Sequence, residues 1–123
     1  MNVSRRVLVV DDDEDNRLVL SDRLAAEGFE VHEARDAEEG LKLAETLRPD
    51  LILMDLWLPG IDGYEATRRI KAHRDLARIP VIAVTSYALK GDDDKAAEAG
   101  CDGYLAKPYD PVALIETIRR YLG

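Results

Sequence analysis

Five times along the chain a short apolar run gives way to an amphipathic stretch, and this alternation constrains the fold more than any other feature. It is the signature of repeated βα units built around a parallel sheet. Strands are predicted at Arg6 to Val10, Glu30 to Ala34, Leu51 to Met54, Val81 to Val84 and Gly103 to Ala106. Val7 to Val10, Leu51 to Met54 and Val81 to Val84 are apolar without alternation, as in strands covered by helices on both faces. Glu30-Val31-His32-Glu33 alternates instead, which points to an edge strand.

The intervening stretches carry helix start and stop chemistry. Asp36 with Glu39 three residues on reads as a capping pair, Ala37, Leu41, Ala44 and Leu47 form one stripe, and Pro49 closes the segment. Leu20 and Leu24 mark the apolar face of the first helix, which Gly28 ends. Asp110-Pro111 opens the last helix, whose Leu114, Ile115, Ile118 and Leu122 make the clearest stripe in the chain. Leu89 to Ala99 differs, with Gly91, three aspartates and an apolar face made only of alanines, so a weakly docked helix is expected there.

At 123 residues, with no Pro/Gly/Ser-rich linker, low-complexity tract or repeat, residues 1–123 are read as one domain. Hydrophobic residues at 46% suffice for a single core, and a formal charge of −8 opposes unaided binding to nucleic acid or anionic lipid. No stretch is apolar enough to span a membrane or act as a signal peptide, and the one cysteine, Cys101, cannot form an intramolecular disulfide. A cytoplasmic setting is therefore expected. Cys101, His32 and His73 are read as a small, at least half-buried thiol and two surface imidazoles, with no role in chemistry.

Ligands of open parallel sheets bind beyond the carboxyl ends of the strands. There the first strand runs into Asp11 and Asp12, the third into Asp55, the fourth into Thr85 and Ser86, and the fifth into Lys107. In a parallel sheet these groups converge on one rim. Three carboxylates in one crevice repel one another unless a cation joins them, and hard oxygen ligands beside a hydroxyl and an ammonium suit Mg²⁺ with a phosphoryl group. Taken singly, Asp11 and Asp12 read as helix-capping or solvated acids, as Asp13, Glu14 and Asp15 do. Thr85 alone reads as a strand-end turn residue and Lys107 alone as a solvated lysine.

Together the segments are distinctive. Val-Leu-Val-Val-Asp-Asp-Asp-Glu-Asp at 7–15, Leu-Ile-Leu-Met-Asp-Leu-Trp-Leu-Pro-Gly-Ile-Asp-Gly at 51–63, Val-Ile-Ala-Val-Thr-Ser at 81–86 and Gly-Tyr-Leu-Ala-Lys-Pro at 103–108 resemble the receiver domain of two-component response regulators. The resemblance spans the chain and implies an α/β, flavodoxin-like, doubly wound sheet of five parallel strands in the order 2-1-3-4-5, flanked by five helices. It implies that Asp55 accepts a phosphoryl group from a sensor histidine kinase or a histidine phosphotransfer protein, the chain catalysing only its own phosphoryl transfer and dephosphorylation. Asp11, Asp12 and Asp55, with the backbone carbonyl of Trp57, would hold Mg²⁺, at most weakly before phosphorylation. Lys107, aimed by a cis bond to Pro108, and Thr85 would contact phosphoryl oxygens, and Tyr104 matches the family's rotating aromatic switch. Trp57 and Tyr87 fall at the positions that tune hydrolysis of the phosphoryl group. Output would be a downstream protein binding the face from Leu89 to Leu122.

Alternatives remain at this stage. The runner-up within the family is an excised receiver of a larger transcription factor or hybrid kinase, although Gly123 after Tyr121-Leu122 suits a natural helix end as readily as a cut. Asp11-Asp12-Asp13 also contains the Asp-x-Asp of Mg²⁺-dependent phosphatases of the haloacid dehalogenase type, although Asp15 stands where those have Thr or Val and the chain is short for a cap. A flavodoxin is weaker still, because the first βα loop is acidic rather than rich in glycine and hydroxyls.

Overall fold

The computed structural model describes residues 5–85, 91–106 and 110–122. Ser86, Tyr87, Leu89, Lys107 and Pro108, to which the sequence assigned roles or a helix start, lie outside the described residues. Five strands alternate with five helices: β1 (Arg6–Val10), α1 (Glu14–Ala26), β2 (Glu30–Ala34), α2 (Ala37–Leu47), β3 (Leu51–Asp55), α3 (Gly63–Ala72), β4 (Val81–Thr85), α4 (Asp92–Ala99), β5 (Gly103–Ala106) and α5 (Pro111–Leu122). All strand pairs are parallel and the order is β2-β1-β3-β4-β5. The alternating segment Glu30–Ala34 is indeed an edge.

Side-chain alternation along the inner strands divides the core. Val7, Val9, Leu51, Leu53, Ile82 and Val84 pack against Leu20 and Leu24 of α1 and Leu114, Ile115 and Ile118 of α5. Leu8, Val10, Ile52, Met54 and Val81 face the other way, onto Ala37 and Ala44 of α2 and Ala66 and Ile70 of α3. Burying a Leu, Ile or Val side chain stabilises by roughly 1.5–3 kcal/mol. The uninterrupted apolar runs of β1, β3 and β4 follow from this two-sided burial.

Aspartates start four helices, Asp110 accepting Val112 N–H at the head of α5. The carboxylate of Asp13 accepts the N–H groups of Asp15 and Asn16, that of Asp36 accepts Glu39 N–H, and that of Asp62 accepts Glu65 N–H. Glu39 returns a bond by accepting Arg35 N–H, which completes the expected capping pair. Helix α4 has Gly91 in the capping position and no side-chain cap, and it buries Ala96 and Ala99 against Leu56, Tyr64 and Ala83. A side-chain cap contributes about 1 kcal/mol, so its absence and the alanine face agree with the weak docking expected.

Three details depart from the sequence reading. β3 and β4 run one residue further, to Asp55 and Thr85, because the ladders continue as Asp55 opposite Val84 and Thr85 opposite Ala106. On α2 the close contact is made by Gly40, where an added Cβ would lie 2.9 and 3.2 Å from the Val10 methyls, while Leu41 and Leu47 are only half-buried. The two imidazoles are partnered rather than merely on the surface. His32 Nε2 meets Glu30 at 2.8 Å, and His73 Nδ1 accepts Asp75 N–H.

Candidate functional site

Register decides what converges at the carboxyl ends. Val10 stands opposite Met54, so Asp11 is level with Asp55, and Thr85 follows one step beyond Asp55's own partner, Val84. One oxygen from each of Asp11, Asp12 and Asp55 can be chosen so that all three lie within 4.8 Å of one another. Asp11 and Asp55 are buried, at 3% and 7% exposure, whereas Asp12 is exposed. Two full charges at that separation repel by roughly 3–4 kcal/mol at an effective dielectric of about 20, so the cluster favours a cation. Three hard, anionic oxygens with open access through Asp12 fit Mg²⁺, which keeps several of its waters.

Local bonds hold these carboxylates in place. Asp11 donates its N–H to Ala34 O at 3.1 Å, accepts Asp13 N–H on Oδ1 at 2.9 Å, and accepts Nη1 of Arg17 on its carbonyl at 2.7 Å. Asp55 accepts Trp57 N–H on Oδ1 at 3.1 Å. Gly63, the first residue of α3, donates its N–H to Leu56 O and draws the helix close against the end of β3. Thr85 is fully buried at the end of the neighbouring strand. The Trp57 indole, 47% exposed, stands edge-on to Tyr64 with centroids 6.5 Å apart. Tyr104, opposite Ala83 on β5, is half-buried against the patch formed by Leu56, Tyr64, Ala96 and Ala99.

The structure thus brings Asp11, Asp12 and Asp55 together, with Trp57 two residues beyond Asp55 and Thr85 at the end of the neighbouring strand, while Tyr104 packs on the patch under α4 and Lys107 and Tyr87 fall among the residues not described. Asp13 is used to cap α1.

Two contributors were not singled out in the sequence. Arg17 is buried at 8% exposure, its Nε 3.3 Å from Glu33 of β2. Its one signal is that it precedes Leu20 and Leu24 at helical spacing and so shares their inward stripe. Gly63 carries no signal beyond following Asp62 at a helix start.

Comparison with known proteins agrees with this geometry. Residues 7–119 match the response regulator receiver domain family. A polar-differentiation response regulator, DivK, of Brucella anthropi is 44% identical over 119 residues, covering 97% of each chain. Among solved structures, the receiver domain of a sensor histidine kinase from Pseudomonas aeruginosa is 38% identical with a TM-score of 0.91, covering 98% of this chain and 99% of that one. That structure has a magnesium ion coordinated in its active-site cleft. A Vibrio cholerae chemotaxis protein, CheY4, superposes with a TM-score of 0.92 at 29% identity, covering 98% of this chain and all of that one. With the strand order, the acidic cluster at the strand ends and a family match over nearly its whole length, this chain belongs to the response regulator receiver domains, the phosphorylation-switched signalling modules of two-component systems.

Proposed function

We propose that Asp55 is the phosphoacceptor and that Asp11, Asp12 and Asp55, with the Trp57 carbonyl, hold Mg²⁺. The observation that carries this reading is the meeting of three carboxylate oxygens within 4.8 Å where two inner parallel strands end. Receiver domains bind Mg²⁺ at such an acidic site. Bound there, the ion would supply positive charge to offset the carboxylates and the phosphoryl oxygens. An Asp55 oxygen attacks phosphorus, an O–P bond forms, the N–P bond of a phosphohistidine breaks, and the electron pair returns to the imidazole nitrogen. Asp11 and Asp12 would serve as ligands. Lys107 and the Thr85 hydroxyl contact phosphoryl oxygens, and Tyr104 turns in behind Thr85.

Receiver domains interact with histidine kinases or phosphotransfer proteins, and the donor for this chain is read as one of these. Its chemistry is confined to its own phosphorylation and dephosphorylation. Output is protein binding on α4, β5 and α5, without nucleic acid or membrane. Among the described residues no helix is long and apolar enough to cross a membrane, and a cytoplasmic location belongs to this proposal. Trp57 and Tyr87 lack an ionised group to orient water near neutral pH, which supports slow hydrolysis of the acyl phosphate.

Mass spectrometry after incubation with acetyl phosphate and Mg²⁺ tests the reading. One phosphoryl group confined to Asp55 and absent from Asp55→Ala is expected, and phosphorylation elsewhere, or none, overturns it. Hydrogen exchange with and without beryllofluoride tests the output face. Unchanged protection across 86–106 would refute it.

A further inference from the structure

Arg17 places a full positive charge in a buried position beside an acidic site, where it binds a backbone carbonyl of that site. Its guanidinium is used at both ends: Nη1 donates to the Asp11 carbonyl at 2.7 Å, and Nε lies 3.3 Å from Oε1 of Glu33. Glu33 belongs to β2, where it pairs with Val9, while Asp11 N–H bonds to Ala34 O. The planar fork therefore ties the first turn of α1 to the strand on one side and to the Asp11 backbone on the other. A lysine, with a compact tetrahedral head, cannot reproduce a planar two-ended fork.

Three carboxylates that repel one another swing apart unless the backbone that carries them is held. Asp11 is the most buried of the three, and its N–H, carbonyl and Oδ1 each have a bond. The carbonyl bond comes from the Arg17 side chain. Resting on the reading of the triad as the Mg²⁺ site, we propose that Arg17, oriented by Glu33, is the positioning residue of that site: it fixes the Asp11 backbone so that its carboxylate faces Asp12 and Asp55 before any ion arrives. Partners of this kind, one bond behind the ligands, typically govern metal affinity by 10–100-fold.

The sign of the effect separates this role from bare electrostatics. Removing a positive charge near a cation site strengthens Mg²⁺ binding by Coulomb's law, whereas losing the fork weakens it. The measurement is Mg²⁺ titration by Trp57 fluorescence, with thermal denaturation alongside, for wild type, Arg17→Met, Arg17→Lys and Leu20→Ala. Leu20 lies on the same inward stripe but packs on the sheet core, so its truncation controls for general loosening of α1. Expected are a roughly ten-fold weaker Kd for Arg17→Met and a weaker Kd for Arg17→Lys despite its retained charge, with Leu20→Ala destabilised but close to wild type in Kd. Should Arg17→Met fail to fold, Arg17→Lys decides. Unchanged or tighter binding in the Arg17 variants, or equal weakening by Leu20→Ala, overturns the proposal. A wild type with no Mg²⁺ response overturns instead the reading of the triad on which it rests.

Discussion

Replacing Gly63 by alanine should destabilise the domain although alanine is the better helix former by about 1 kcal/mol. Gly63 is the first residue of α3, and a Cβ built there would lie 2.1 Å from the Asp55 carbonyl oxygen, 2.7 Å from Leu56 Cα and 2.9 Å from the Asp55 carbonyl carbon. Reaching the 3.4 Å of ordinary contact from 2.1 Å requires about 1.3 Å of retreat. The obstacle is backbone, and it cannot yield easily, because Asp55 is in the ladder with Val84 and Leu56 is fully buried. The start of α3 must lift instead. That strains the Gly63–Leu56 bond and loosens Tyr64, Ala66 and Thr67, all buried. Overpacking costs about 1–3 kcal/mol and a lost hydrogen bond about 0.5–1.5, so after the propensity gain of about 1 a net loss of about 0.5–3.5 kcal/mol is expected. For a domain of this size that lowers Tm by roughly 2–14 °C. Thermal and urea denaturation followed by circular dichroism measure it, with Gly60→Ala for comparison. Gly60 has φ +74° and nothing within 4 Å of an added Cβ, so only backbone strain, about 1 kcal/mol, applies there. A Gly63→Ala protein as stable as wild type, or more so, would refute the steric reasoning.

Lys71 donates to the carbonyls of Ala77 and Ile79 and to the Asp102 carboxylate, so Lys71→Met should cost about 2 kcal/mol in urea denaturation. A loss below about 0.5 kcal/mol would mean that water replaces the ammonium. Burial pushes the Cys101 thiol above its ordinary pKa, a smaller opposing pull coming from its hydrogen bond with Thr67. The folded state then holds this proton longer than the unfolded chain, so Cys101 leaves stability unchanged below the ordinary thiol pKa of about 8.5 and lowers it as pH rises beyond. Alkylation at pH 8 should be several-fold slower in the native protein than in urea, and equal rates would contradict this. The hydrogen bond from His32, aided by Arg6, holds Glu30 below the usual carboxylate range. Its contribution is present above the ordinary carboxylate pKa and fades as pH falls through the lowered folded value. NMR titration should show the Glu30 midpoint rising in His32→Ala, and an unmoved midpoint would contradict the assignment.

The sheet was legible because its signals are local. Two-sided burial leaves apolar runs at 7–10, 51–54 and 81–84, the edge strand shows alternation at 30–33, and aspartates mark helix starts at 36 and 110. The candidate site was legible for a related reason: in a parallel sheet every strand delivers the residue after its last apolar position to the same rim, so Asp11, Asp12, Asp55 and Thr85 could be named before any pairing was known. Gly40 went unseen because its value lies in an approach to Val10 thirty residues away in sequence, which no helical stripe reveals.

From composition, periodicity and turn chemistry alone, the chain is committed to alternating strands and helices with acids and a hydroxyl at strand ends, since those preferences act over a few residues. Tertiary structure decided the rest through contacts between distant segments. The register that sets Val10 against Met54 makes Asp11 level with Asp55 and turns scattered acids into one cluster. The seating of α1 against β2 buries the Arg17 fork between Asp11 and Glu33. The descent of α3 onto the end of β3 leaves room at position 63 for hydrogen alone. Close approach between elements depends on how whole faces pack, and no single segment carries that information.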